Sequence, residues 1–339
     1  MRPAPIRNPP NPWLSSDVEW LEPEPARLEV YQDATREILS RNDSPDIPFT
    51  WSLNPYRGCG HGCAYCYARP THEYLGFGAG TDFETRIAVK PRAAELLRAA
   101  FDRPGWKGER VAFSGVTDCY QPLEASWRLT RACLEVCAEY RNPVSIITKA
   151  PLVERDLDLL SRLAREAGAS VVLSLPFLDR EHARALEPGA AAPERRLETL
   201  RRVAAAGIPC GVMLAPVIPG LNDEEIPRIL EAARQAGATR AGWLLLKLPG
   251  STKAVFGERL RAALPERAER VLHRIRETRG GALDDARFGL RMRGEGPYAR
   301  ALDDLFQAVA GRLGYSQGRE EEPGPATFRR PLRGQLPLL

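Results

Sequence analysis

The chain has 339 residues, of which 43% are hydrophobic and 27% are charged, and its formal net charge is +4. No apolar run is long enough to cross a bilayer and no signal peptide opens the sequence, so we expect a soluble, cytoplasmic, globular protein without a membrane partner. Seven cysteines are too few for a disulfide scaffold in a chain of this length.

The order of the predicted elements favours one α/β barrel with extensions over two separate domains. Residues 1–44 are rich in proline and acidic residues, which predicts an extended or loosely ordered N-terminal extension. Between residues 45 and 280, short apolar runs alternate with helical patterns, and this region is the predicted core. The six predicted strands are Phe49–Leu53, Arg110–Ser114, Val144–Thr148, Ser170–Leu175, Ile208–Leu214 and Ala241–Lys247.

Helical periodicity fills the intervals between these strands. The predicted helices are Pro91–Phe101, Trp127–Tyr140, Glu154–Ala167, Pro193–Ala206 and Asp223–Ala236. Alternating β and α elements with right-handed crossovers form a parallel sheet that curls into a barrel or part of one. In such a barrel the reactive groups lie at the C-terminal ends of the strands and in the loops that follow them.

A run of three cysteines, Cys59, Cys63 and Cys66, follows the first predicted strand in a loop that also contains three glycines. Thiolates bind soft metals, and three thiolates leave a four-iron cluster one ligand short, which keeps one iron open for a small molecule. Three other readings are open: a zinc site completed by His61 or His72, a redox dithiol, and a set of disulfides. A second Cys-x2-Cys or His-x3-His half-site, which a zinc knuckle would need, is absent from the sequence.

The spacing Cys-x3-Cys-x-aromatic-Cys, with Tyr65 in the aromatic place, resembles the signature loop of radical S-adenosylmethionine (SAM) enzymes. The resemblance implies an incomplete (β/α)6 barrel, and a [4Fe-4S] cluster held by Cys59, Cys63 and Cys66. It also implies that SAM binds the fourth iron and is cleaved reductively to a 5′-deoxyadenosyl radical. An external electron donor of the flavodoxin or ferredoxin type would supply the electron.

Within these enzymes the core resembles spore photoproduct lyase and the lyase-like proteins related to it. That family holds SAM with aromatic residues beside the last cysteine and with polar residues after the second, third and fourth strands. The matching residues in this chain are Tyr65, Tyr67, Thr117, Asp118, Lys149 and Ser174. Their chemistry suits the cofactor, because an ammonium can pair with a carboxylate and an aromatic ring can cover an adenine.

The sequence departs from the lyase at the cysteine that returns a hydrogen atom to repaired DNA. Gly115 occupies that place, and Cys119 lies just after Asp118, from where it could reach the same pocket as a hydrogen donor. Lyase activity on thymine dimers is therefore not the expectation. The other cysteines, Cys133, Cys137 and Cys210, are predicted to be small buried core residues.

The region after the core divides into a helical extension, residues 281–315, with a helix at Tyr298–Leu313, and a flexible basic tail, residues 316–339. This tail could contact nucleic acid or fold back on the barrel. Two functions remain: a radical enzyme that abstracts hydrogen from a substrate, with a nucleobase in DNA as the leading candidate, and a nucleic-acid-binding module in which the cysteines hold a structural or sensing metal.

Overall fold

The computed structural model describes residues 27–316 and 327–331. The predictions for residues 1–26, 317–326 and 332–339 lie outside these ranges. The strands are β1 Glu29–Gln32, β2 Leu39–Arg41, β3 Trp51–Leu53, β4 Tyr56–Arg57, β5 Arg86–Val89, β6 Val111–Phe113, β7 Val144–Thr148, β8 Ala169–Ser174, β9 Cys210–Val217 and β10 Arg240–Leu245.

Twelve α-helices occur in the described residues. They are α1 Asp82–Thr85, α2 Ala93–Asp102, α3 Glu124–Trp127, α4 Leu129–Tyr140, α5 Leu157–Glu166, α6 Arg180–Leu186, α7 Pro193–Ala205, α8 Ile226–Gln235, α9 Thr252–Ala263, α10 Pro265–Glu277, α11 Leu290–Arg293 and α12 Gly296–Arg312. Short 3₁₀ segments span Arg69–Leu75, Pro151–Asp156 and Asp223–Glu225. None of the described helices is both long and apolar enough to cross a bilayer.

The main sheet has seven strands in the order β10-β9-β8-β7-β6-β3-β2. All neighbours pair in parallel except β2, which pairs with β3 in antiparallel fashion. The six parallel strands correspond to the six predicted ones, and the helices between them cover the outer face. The predicted α/β fold with a partial, TIM-like barrel is therefore confirmed. Apolar side chains such as Val144, Ile146 and Val171 fill its core and are fully buried.

A second, three-stranded sheet in the order β1-β5-β4 was not predicted. Its strands are two to four residues long, and β1 is exposed throughout. The sequence therefore has no alternating apolar pattern that would predict them. Both β1 and β2 lie in the predicted N-terminal extension. They are extended, as expected, but they are paired within sheets, and β2 forms an edge of the barrel sheet itself.

The two edge strands of the main sheet, β2 and β10, are not hydrogen-bonded to each other. Side chains join the two edges instead. Asp46, in the loop between β2 and β3, accepts hydrogen bonds from Arg291 Nε at 2.6 Å and from the backbone N–H of Gly289 at 2.7 Å. Arg291 also donates to the hydroxyl of Ser44. Since α11 packs against β10, these contacts form a side-chain seam across the open side of the barrel.

The described part of the tail, residues 327–331, packs against the barrel at the N-terminal ends of its strands. The Phe328 ring stacks on Tyr140 with centroids 6.1 Å apart and meets the edge of Phe101 at 5.9 Å. Arg330 Nε donates to the carbonyl of Phe101 at 3.1 Å, and the backbone N–H of Arg329 donates to the carbonyl of Tyr140 at 2.9 Å. The tail was predicted either to contact nucleic acid or to fold back on the barrel, and residues 327–331 fold back on the barrel.

Candidate active site

The cysteine loop follows β4 at the C-terminal end of the barrel strands, as predicted. Cys59 and Cys63 are buried, Cys66 is partly exposed, and none of the three forms a disulfide. Burial raises the pKa of all three thiols, that of Cys63 to about 12. They are therefore protonated at neutral pH unless a metal bound to the sulfur replaces the proton.

Arg69 stabilises the cysteine loop, and its side chain is completely buried. Its guanidinium donates to four backbone carbonyls, those of Gly62, Cys63, Ala79 and Gly80. It also pairs with the buried carboxylate of Glu84, and Arg259 contacts the same carboxylate oxygen at 2.6 Å. We name Arg69, Glu84 and Arg259 the loop clamp, because together they fix the backbone on either side of Cys63.

Gln121 ties the loop after β6 to the cysteine loop. Its amide donates to the carbonyl of Gly58 at 2.9 Å and accepts from the N–H of Gly60 at 3.1 Å. Gly58 itself requires glycine, since its φ is +81° and a Cβ there would lie 2.9 Å from the carbonyl oxygen of Phe83. The cysteines are thus carried on a backbone that several protein contacts hold in place.

Three residues predicted to bind SAM, Tyr65, Lys149 and Ser174, meet in one polar pocket. The ammonium of Lys149 donates to Ser174 Oγ at 2.7 Å and lies 5.8 Å from the centre of the Tyr65 ring. Lys149 follows β7 and Ser174 ends β8, so adjacent parallel strands bring them together at the same edge of the sheet. Lys149 stays partly exposed, with 14% of its side chain accessible.

A buried carboxylate, Glu187, organises this pocket and was not predicted from the sequence. It accepts a hydrogen bond from the hydroxyl of Tyr65, pairs with the buried guanidinium of Arg196, and lies 3.7 Å from Lys149 Nζ. Burial works against its ionised form, but Arg196 and Lys149 outweigh burial and hold the pKa of Glu187 below its usual value. Burial, followed by the charge of Glu187, raises the pKa of Tyr65, which keeps the phenol as a donor.

Asp118 lies between the cysteine loop and Lys149. Its carboxylate accepts from Thr148 Oγ1 and from the backbone N–H of Lys149, both at 2.7 Å. His61 Nδ1, within the cysteine loop, lies 3.4 Å away, and burial lowers the pKa of that histidine. Asp118 therefore positions the residue that begins the loop after β7, in addition to facing the pocket.

Thr117 and Tyr67 do not join the group around Lys149. The Thr117 hydroxyl is buried and donates to the carbonyl of Tyr56 at 3.2 Å, a contact that shapes the loop after β6. Tyr67 stands at the rim, 51% exposed, with its hydroxyl donating to the carbonyl of Gly115 at 2.7 Å. Their assignment to SAM stays a prediction.

Cys119 is fully buried in the barrel core, where its thiol faces the carbonyl of Phe113 at 3.7 Å. This direction gives its suggested role as hydrogen donor no support, and that role stays untested. Cys133 and Cys137 are also fully buried in the main core, as expected.

Glu124 belongs to a buried network under the loop after β6. Its carboxylate accepts from Tyr56 and from the N–H of Thr130 at 3.0 Å, and it pairs with Arg155 at 2.6 Å. Asp156 also pairs with Arg155, at 2.8 Å. The carboxylate supports the loop and the start of α4, so it is a structural group.

The donor set fits a cluster with an open iron. It offers three soft, free thiols on a fixed loop, beside a pocket with a cation, a hydroxyl and an aromatic ring, the groups that SAM would need. Within residues 27–316 and 327–331, no three His, Cys, Asp or Glu side chains converge closely enough to hold a single metal ion.

Fold and site together define an α/β barrel enzyme with a cysteine-rich cofactor loop at the C-terminal ends of its strands. Residues 53–233, more than half of the chain, match the model of the radical SAM superfamily. The chain belongs to this superfamily, whose members typically use SAM and a [4Fe-4S] cluster.

Several relatives match much of the chain. An uncharacterized protein of Mycobacterium tuberculosis is 42% identical over 226 residues, which are 66% of this chain and 66% of that protein, slightly less than two thirds of its length. An uncharacterized protein of Methanocaldococcus jannaschii is 27% identical over 200 residues, covering 59% of this chain and 72% of the other. The radical SAM Nα-GlyT isomerase of Pseudomonas phage M6 is 22% identical over 300 residues, covering 87% of this chain and 60% of the isomerase.

Among solved structures, spore photoproduct lyase complexed with dinucleoside spore photoproduct superposes with a TM-score of 0.58 at 16% identity. The superposition covers 84% of this chain and 80% of the lyase. At this identity the likeness shows a shared fold. The resemblance to lyase-like radical SAM proteins is therefore confirmed at the level of fold and superfamily.

Proposed function

We propose that this radical SAM enzyme holds a [4Fe-4S] cluster with Cys59, Cys63 and Cys66 and cleaves SAM reductively to act on a nucleobase. The observation that carries the proposal is the position of three free cysteines on a clamped loop, directly beside the Lys149–Ser174 pocket. When bound, the reduced cluster and SAM supply a 5′-deoxyadenosyl radical that abstracts a hydrogen atom from the substrate.

The residues of the chain would bind and orient the cofactor. Lys149 is the cation available to the SAM carboxylate, and Ser174 is the hydroxyl beside it. Glu187 and Arg196 fix the hydroxyl of Tyr65, so its ring stays beside Lys149, where it could cover the adenine. Asp118 fixes the backbone of Lys149 and thus the start of this side chain.

Apolar side chains around the loop would keep water away from a reactive radical. Cys63 and Tyr65 pack in a cluster with Phe177, Ile218 and Leu246, each of which is at most 1% exposed. This apolar cluster excludes water and so lowers the chance that water reacts with the radical before the substrate does.

The substrate class and the electron donor are parts of the same proposal. One similar protein, the lyase complexed with dinucleoside spore photoproduct, supports a modified or damaged nucleobase. The reaction needs one electron from outside the chain, for which we propose a flavodoxin or ferredoxin. Gly115 stands where the lyase has its hydrogen-donating cysteine, so we do not propose repair of thymine dimers by the lyase's own route.

The test is 5′-deoxyadenosine formation by anaerobically reconstituted protein that is given SAM and a reductant, with the Cys66→Ala variant beside it. We expect the parent to bind iron and sulfide and to form 5′-deoxyadenosine, and the variant to lose stable cluster binding and cleavage. Cys133→Ala is the matched control, because it removes a buried thiol that lies outside the loop.

Cleavage retained by Cys66→Ala would remove the assignment of the cluster ligands. A parent that binds iron and sulfide fully but forms no 5′-deoxyadenosine, with or without damaged DNA, would instead favour the metal-binding module.

A further inference from the structure

A cleft of about 450 Å³ opens on the surface between α6 and the start of α7, next to the Lys149–Ser174 pocket. Its lining includes Arg180, Arg184, Glu187, Ala192, Pro193 and Arg196. We call it the arginine cleft. Its walls combine three guanidinium groups with small side chains, which leave the backbone accessible to a ligand.

The charges in and around the arginine cleft favour an anion. Arg196 is already paired with Glu187, and exposed Arg180 pairs with Glu194 at the rim at 2.7 Å. The exposed guanidinium of Arg184 makes no hydrogen bond or ion pair with the part of the chain that the structure describes. Arg184 is therefore a cation at the cleft that no side chain within residues 27–316 and 327–331 neutralises.

The start of α7 adds one backbone donor. This helix has 13 residues, begins at Pro193, and its N-cap, Ala192, makes no side-chain capping hydrogen bond. Pro193 has no N–H, and the N–H groups of Arg195 and Arg196 donate to the carbonyl of Ala192 at 3.1 and 3.2 Å, which leaves the N–H of Glu194. A free N–H at a helix start carries partial positive charge, which favours a phosphate oxygen. Glu194 in the first turn opposes this effect, but its carboxylate is engaged with Arg180.

The arginine cleft is built on the same backbone as the candidate active site. Glu187 lines the cleft and also accepts the hydrogen bond of Tyr65. Gly189, in the loop between α6 and α7, donates its N–H to the carbonyl of His61 at 2.9 Å. A Cβ at Gly189 would lie 2.2 Å from the carbonyl oxygen of Gly60, so only glycine allows this contact with the cysteine loop.

We propose that the arginine cleft binds a backbone phosphate of a nucleic-acid strand whose base is presented to the active site. This inference rests on the proposed function and specifies its substrate as part of a strand, not a free base or nucleoside. Arginine suits the task, because its planar fork pairs with two phosphate oxygens at once. DNA and RNA share this phosphate chemistry, and the experiment distinguishes them.

The experiment measures fluorescence anisotropy of a labelled single-stranded oligodeoxynucleotide, and of the oligoribonucleotide of the same sequence, with cluster-reconstituted protein. The cleft variant carries Arg180→Glu and Arg184→Glu. The control carries Arg103→Glu and Arg312→Glu, which change the net charge equally at two exposed sites elsewhere, with side chains 62% and 64% accessible.

We expect the cleft variant to bind at least one of the two strands about tenfold more weakly than the parent, and the control to stay within about threefold. The slope of binding against salt should also become shallower by about one phosphate contact in the cleft variant alone. Binding of only one strand type supports the cleft and identifies the nucleic acid.

Equal weakening of both variants would reduce the effect to net charge and overturn the inference. So would unchanged binding by the cleft variant, or a parent that binds neither strand while inorganic phosphate binds. If the parent still forms 5′-deoxyadenosine from SAM without any oligonucleotide, these failures concern the arginine cleft and leave the proposed function standing.

Discussion

The two ends of the barrel are built from different interactions. At the C-terminal ends of the strands, charged groups are buried in contact with one another, as in the loop clamp and in the pair of Glu187 with Arg196. At the N-terminal ends, residues 327–331 of the tail lay an aromatic side chain over Phe101 and Tyr140.

The difference separates groups that fix geometry from groups that add stability. Buried charges are costly to desolvate and tolerate little change in geometry, so they are retained where position matters. Apolar burial stabilises without requiring an orientation. We therefore expect substitutions at the first end to change cofactor binding or the arrangement of the loop, and substitutions at the second to change stability alone.

The largest effect should come from Arg69→Ala. The change leaves Glu84 buried with one cation fewer and removes the donors of four carbonyls, so the free energy of unfolding should fall by about 3–5 kcal/mol. Urea denaturation measures it, and iron content after reconstitution should fall as well. Arg261→Ala, which breaks an exposed ion pair with Glu269, should cost less than about 0.5 kcal/mol. A comparable small loss in both variants would refute the clamp.

Lys149→Gln should weaken SAM binding by about 10- to 100-fold, the equivalent of one charge-assisted hydrogen bond. Calorimetric titration of reconstituted protein without reductant measures the dissociation constant. Because Arg196 still neutralises Glu187, the fold should persist. Lys253→Gln, at an exposed lysine, is the control, and equal SAM affinity in parent and Lys149→Gln would show that the cofactor binds elsewhere.

Phe328→Ala should lower the free energy of unfolding by about 1–2 kcal/mol, since a partly buried ring loses its apolar contacts. Gly108→Ala should act similarly, because its Cβ would lie 2.3 Å from the Cβ of Phe328. Neither change should alter SAM affinity. Phe288→Ala removes a ring that is 61% exposed and should leave stability nearly unchanged. A shift in SAM affinity for the tail variants would contradict the separation of the two ends.

Stability should also depend on pH. Burial, and then the charge of Arg57, lowers the pKa of Lys90 to about 8, whereas a free lysine titrates near 10.4. Between these values the unfolded chain holds more protons, so this group makes the protein more stable as pH rises from about 8 to 10. Lys90→Met should remove that rise in urea denaturation at pH 7, 8.5 and 10, whereas Lys107→Met, at an exposed site, should keep it. An identical pH profile for parent and Lys90→Met would refute the assignment.

Much of the fold was predictable because the barrel strands are short, apolar runs buried on both faces, as in Val144–Thr148. The meeting of Lys149 with Ser174 also followed from the sequence, since both stand at the ends of predicted parallel strands. Exposed β1, by contrast, pairs with β5 more than 50 residues away and carries no periodic pattern.

Several site residues were not predictable from local pattern. Arg196 lies in a helix whose first turns are rich in charged residues, which is typical of a solvated face, yet its side chain is 1% exposed. Glu187 follows α6 in a loop, and only tertiary contact with Tyr65 gives it a role. Arg69 could have been noticed as a charge three residues after Cys66, but the carbonyls it serves come together only in the folded loop.

The side-chain seam has a mechanical consequence. A ladder of backbone hydrogen bonds fixes the spacing of two strands along their length, whereas the seam holds the two edges at one place, through Asp46 with Arg291 and Gly289. The circumference of this barrel is therefore set by one local link and six continuous ones. A bulky guest entering from the open side would stretch that link first and leave the spacing of β6, β7 and β8, on which the cofactor pocket depends, unchanged.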